Sequence, residues 1–185
     1  MGKSHDLATL SDDGISTLKV DTIKSTGGTT AMTVDSSGRV LRSVLPAFRV
    51  GLTSQQTSTS AGLKKVEFDT TSSKNCYLQG GVTSSTGTIT VPVAGLYNVG
   101  ATIRIDAVTG SNYIIAYIRK NQADNPLEGT YVIVDDHGTN YHTLTVNDLF
   151  QCQAGDELEC YVYVQSDSSW NIAAERSLFN GHLVG

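Results

Sequence analysis

Residues 89–105 read Ile89-Thr-Val-Pro-Val-Ala-Gly-Leu-Tyr97-Asn-Val-Gly-Ala-Thr-Ile-Arg-Ile105. The first half reads as a strand and a tight Gly turn. The second half alternates Tyr97, Val99, Ala101, Ile103 and Ile105 with Asn98, Thr102 and Arg104. Successive side chains of a strand point to opposite faces, so the apolar set lines a core and the polar set looks away from it. Pro92 cannot donate to a ladder, which predicts an edge or a bulge at that point.

Outward from this stretch the pattern repeats. Runs rich in β-branched and aromatic residues lie at Phe48–Leu52, Leu63–Phe68, Thr88–Val91, Leu96–Ile105, Tyr113–Lys120, Tyr131–Val134, Tyr141–Phe150, Glu157–Val164, Asn171–Ala174 and Leu178–Val184. Turn clusters such as Gly80-Gly81, Thr109-Gly-Ser-Asn112 and Asp135-Asp-His-Gly138 separate them. No sustained 3.6-residue apolar period occurs. The expectation is an all-β chain of about ten strands, a sandwich or jelly roll.

Composition shifts near Pro46. All 8 Tyr, all 4 Phe and Trp170 of the 185-residue chain follow that point, and residues 1–45 carry none of them. A segment without large apolar side chains cannot close its own core. Residues 1–45 therefore read as an extended, β-rich arm and residues 46–185 as the head domain. The arm pieces Thr17–Ile23 and Thr30–Val34 are too short and polar to stand alone, and are expected to pair with another chain or intertwine with copies of themselves.

The formal net charge is −5. Five basic and five acidic residues balance in the arm, so the deficit lies in the head, whose only basic doublets are Lys64-Lys65 and Arg119-Lys120. That excludes a phosphate-backbone footprint, and nucleic acid is not an expected partner. With no basic amphipathic helix and no apolar run near the ~20 residues needed to span a bilayer, neither is a membrane. Met1–Asp6 lacks a signal-peptide apolar region and no Asn-x-Ser/Thr acceptor occurs, so assembly in a cytoplasm is expected.

No catalytic, cofactor-binding or metal-binding residues are expected. There is no Gly-x-Ser-x-Gly, and Gly27-Gly28 is not followed by Gly-Lys-Ser/Thr. His137 and His142 are five apart and fall on opposite faces of a strand. The turn Asp135-Asp136-His137, with Asp124, Glu128 or Asp156, has the chemistry of a hard-cation site, although a solvated acidic turn explains it as well. Cys152 and Cys160 are expected to face each other across a hairpin as small buried groups rather than as a bridge, and Cys76 is expected to be a buried thiol. Trp170 reads as core or interface ahead of a sugar-stacking platform.

Four ordered motifs carry a resemblance: Thr90-Val-Pro-Val-Ala-Gly-Leu-Tyr97, Ile118-Arg-Lys-Asn121, Ala154-Gly-Asp-Glu157 and Ser177-Leu-Phe-Asn-Gly-His-Leu-Val184. Across residues 46–185 they resemble the globular heads of complement C-one-q and its tumour-necrosis-factor relatives. The resemblance implies a ten-stranded jelly roll that assembles as a homotrimer. No Gly-X-Y repeat precedes the head, unlike the collagen-stalked members of that family. The arm, through Val20-Asp-Thr-Ile23 and Thr30–Val40, instead looks like the leader of bacteriophage tail-fibre and virion-appendage proteins.

Together these imply a non-enzymatic virion protein whose arm meets another virion protein and whose head meets a host-surface glycan or protein. The alternatives are a capsid decoration protein and a free lectin-like or cytokine-like module. The expected core includes Tyr97, Val99, Ile103, Leu144, Val146 and Phe179. The expected trimer interface is Thr102, Arg104, Tyr141, Thr143, Thr145 and Leu149, an outward set poor in charge and so suited to a buried contact.

Overall fold

The computed structural model describes residues 21–28, 30–42, 45–69, 75–108, 110, 113–122, 130–135, 141–167 and 169–184. Calls on Asp124, Glu128, Asp136, His137 and most of Thr109–Asn112 lie outside them. The chain divides into two compact units, Met1–Ser43 and Val44–Gly185.

The described residues of the smaller unit form a three-stranded antiparallel sheet of β1 (Thr22–Lys24), β2 (Thr30–Val34) and β3 (Val40–Leu41). The turn between β2 and β3 is built by Asp35, whose carboxylate accepts from the backbone N–H of Ser37 (2.9 Å) and Arg39 (3.0 Å) and from Arg39 Nε (2.7 Å). These strands pair with one another in antiparallel register. The sheet is too small to cover its own apolar groups: Ile23, Val40 and Leu41 are exposed.

The larger unit is all-β, and every strand pairing in it is antiparallel. One sheet joins β4 (Ala47–Gly51), β16 (Leu178–Leu183), β10 (Gly95–Asp106) and β13 (Tyr141–Cys152), with β7 (Tyr77–Gln79) outside β4. At the far end of β10, β15 (Trp170–Ile172) and β5 (Gln56–Ser58) continue it. The second sheet runs β12 (Thr130–Asp135), β11 (Tyr113–Lys120), β14 (Glu157–Val164), β9 (Thr88–Thr90) and β8 (Thr83–Ser85), with β6 (Gly62–Lys65) also on β14.

The two inner faces share one core. Tyr97, Val99, Ile103, Leu144, Val146 and Phe179 lie on the β10 side, and Ile114, Ala116, Ile118, Leu158 and Val162 on the other. Phe179 anchors it, edge-on to Phe48 at 5.1 Å and stacked on Phe68 at 5.7 Å. Gly181 is required beneath Phe48: a Cβ there would sit 2.6 Å from the ring. The unit is a β-sandwich.

The opening stretch crosses between sheets rather than forming a hairpin. β9 lies in the β14 sheet and β10 in the other, with Pro92 in the connection, outside both strands. Gln153–Glu157 does the same between β13 and β14. Cys152 and Cys160 thus lie in different sheets and do not face each other across a hairpin; both are buried and free. Cys76 is half-buried rather than buried. Four strands, β3 in the smaller unit and β5, β7 and β8 in the larger, were not expected, and Leu63–Phe68 contributes only Gly62–Lys65.

Candidate interaction surfaces

Three of the four motifs singled out in the sequence meet at one corner. The Asp156 carboxylate accepts from Asn121 Nδ2 (2.9 Å) and from the Gln153 backbone N–H (2.8 Å), and the Glu157 N–H donates to Asn121 Oδ1 (2.8 Å). Gly155 N–H donates to Val91 C=O (2.8 Å), and Val91 N–H returns a bond to Asp156 C=O (3.0 Å). The bond from Asn121, then that from Gln153, holds the Asp156 carboxyl below the ordinary aspartate range. Both carboxylate oxygens are committed to this corner, so Asp156 serves the fold.

Trp170 is wholly buried and donates from Nε1 to Ser60 C=O at 3.0 Å, which makes it core rather than platform. Burial pushes the Cys152 and Cys160 thiols above their ordinary range, which leaves them unreactive at neutral pH. Among the described residues no three His, Cys, Asp or Glu side chains converge as a metal site. Among the described residues no helix is long and apolar enough to cross a membrane.

Two outward faces remain. On the β10 sheet, antiparallel register sets Thr102 opposite Thr145, Arg104 opposite Thr143, and Asn98 opposite Leu149. Tyr141, Thr143, Thr145 and Leu149 are exposed, and Thr102 and Thr145 share a hydroxyl contact of 3.3 Å. Arg104 is held at the end of this ribbon by Asp106 (2.6 Å) and lies 4.7 Å above the Tyr141 ring. The six residues expected together are therefore on one face. Beside Arg104 and Asp106 a polar cleft of ≈ 380 Å³ opens, lined also by Glu175, Arg176 and Thr53–Gln55.

The second face, the outside of the β14 sheet, had not been singled out. Cross-strand register builds two rows over β6, β14, β11 and β12: Leu63, Tyr163, Ile115, Ile133, and then Lys65, Tyr161, Tyr117, Tyr131. Tyr113 stacks on Tyr163 at 5.9 Å. A third row sets Arg119 beside Glu159. Glu159 is fully buried although it points outward, because Lys65 pairs with it while Thr88 Oγ1 (2.7 Å) and Tyr161 OH (2.9 Å) donate to it. Arg119 lies 5.4 Å over Tyr117 and 4.8 Å over Tyr161, and its Nε is buried without a hydrogen-bond partner.

A signal for this face was present in the sequence. In Tyr113–Ile118 and Cys160–Val164 both parities are apolar or aromatic, which is what a strand covered on both sides needs.

No family model matches the chain, and no curated protein matches it.

Proposed function

We propose that this chain is a non-enzymatic bacteriophage virion protein, a homotrimeric appendage of fibre or spike type. The smaller unit docks on another virion protein and the sandwich faces the host surface. The observation that carries this reading is the outward side of the β10–β13 ribbon. Tyr141, Thr143, Thr145 and Leu149 stand exposed and uncharged there beside Thr102, and depletion of charge is what distinguishes the buried centre of an interface.

Strand order supports the resemblance to the C-one-q and tumour-necrosis-factor heads. With the eight principal strands numbered along the chain, the two sheets run 1-8-3-6 (β4, β16, β10, β13) and 2-7-4-5 (β9, β14, β11, β12). That is the order of a jelly roll made of two Greek keys. The exposed Ile23, Val40 and Leu41 of the smaller unit suit a docking role.

Quantitative mass spectrometry of purified virions tests the reading. A few copies per particle are expected of an appendage. Hundreds would move the protein to the capsid surface as a decoration protein, and its absence from the particle would overturn the proposal.

A further inference from the structure

We propose that the outer face of the β14 sheet is where two copies of this chain pair, related by a two-fold axis lying in the contact. The axis crosses the strands between the Ile115 and Tyr117 rows. A sheet face open to water normally carries polar side chains at alternate positions. Here the row Leu63, Tyr163, Ile115, Ile133 is apolar or aromatic throughout, with Leu63 45 % and Ile133 50 % exposed at its two ends and Ile115 8 % exposed between them. Tyr131 in the next row is 52 % exposed. Contiguous apolar surface of this kind, rimmed by charge, marks a protein contact.

The charges select the occupant. Lys65 is neutralised by Glu159. That leaves two charged groups on these rows, Arg119 at one end of β11 and Asp135 at the other, beside Tyr113. Neither has an ion pair among the described residues. They are opposite in sign and lie at opposite ends of the grid, so the face complements itself when turned over.

The proposed axis lays β11 antiparallel on the partner's β11. Ile115 then meets the partner's Tyr117, Ile133 meets the partner's Tyr131, and Arg119 reaches the partner's Asp135. Facing sheets lie ~10 Å apart, a gap that an Arg–Asp pair spans. The pairing would also bring a carboxylate to the Arg119 guanidinium, whose Nε has no hydrogen-bond partner within its own chain. A saccharide would account for the tyrosines but not for Leu63 and Ile133.

The flat footprint is four strands by seven residues, about 19 by 24 Å or roughly 450 Å². This is below the ~800 Å² per partner of a tight complex, so a micromolar, salt-sensitive pairing is expected. The face lies on the opposite side of the sandwich from Thr145, and its pairing neither needs nor excludes the three-fold contact.

Sedimentation of the full chain over ~1–100 µM reads the result, because the mass at least doubles whether the pairing unit is one chain or a trimer, and a trimer, with three such faces, can associate further. The wild type is expected to double with concentration, and Ile133→Asp to abolish the doubling. Arg119→Asp and Asp135→Arg should each weaken it at least ~10-fold, while the double exchange returns to within ~3-fold of wild type. Thermal melts of Ile133→Asp and Asp135→Arg, both at exposed positions, are expected to stay within a few degrees of wild type, and Arg119→Asp, which sets a carboxylate beside Glu159, to melt lower. A mass that never doubles, a doubling indifferent to Ile133→Asp, or a double exchange no better than the singles would each overturn the pairing. All three would leave the three-fold reading standing.

Discussion

Tyr97 shows how one residue ties sequence to packing. Its ring is fully buried between the sheets and its hydroxyl donates to Val93 C=O at 3.0 Å, holding the connection that carries Pro92. Tyr97→Ala is expected to cost about 3 kcal/mol or more, the range for deleting a buried aromatic. Asn98→Ala, one residue along and on the outward face, should cost well under 1 kcal/mol. Chemical denaturation of both variants checks this, and equal losses would contradict the assigned faces.

Glu159 acts through charge. Burial alone would raise its carboxyl, but the bonds from Lys65, Thr88 and Tyr161 outweigh that and set it below the ordinary value of 4.5. A group lowered in the folded state contributes stability above its unfolded pKa and loses it as pH falls through the folded one. The melting temperature should therefore hold down to about pH 4.5 and fall below it. In Glu159→Gln the fall should be shallower, with the remainder coming from Asp156, whose carboxyl is also lowered. Identical acid profiles for the two proteins would show that this cluster carries no linked protons.

At the scale of elements, strands longer than about six residues were legible because their burial alternates or because they are apolar on both parities. Tyr113–Lys120 and Glu157–Val164 coincide with β11 and β14 to the residue, and Leu96–Ile105 extends by one residue at each end. The three-residue strands β5, β7 and β8 were not. Gln56–Ser58, Tyr77–Gln79 and Thr83–Ser85 hold too few side chains to show a period, and their register comes from neighbours such as β15, β4 and β9.

Connections were misread for a related reason. A short Gly turn looks the same in sequence whether it closes a hairpin or carries the chain across the core. The corner where Asn121, Gly155 and Asp156 meet Val91 is a long-range arrangement that no local pattern announces. The outward set on β13 followed from parity alone. The tyrosine rows of the β14 sheet come together only through the pairing of β11 with β12 and β14, which no single strand displays.

For the whole molecule, the division at residues 43 and 44 separates a small sheet with exposed apolar groups from a sandwich with a continuous core. Three such chains are proposed to assemble through the outward side of the β10–β13 ribbon. A carboxylate introduced there would be buried three times over without a partner, so Thr145→Glu is expected to drive trimer to single chains.

Fluorescence-detected sedimentation velocity of the labelled full chain decides this. It works at nanomolar concentration, where the weaker pairing through the β14 sheet has dissociated. The account predicts a particle of three times the 19.7 kDa chain that Thr145→Glu reduces to one. A wild-type particle of a single 19.7 kDa chain would contradict it.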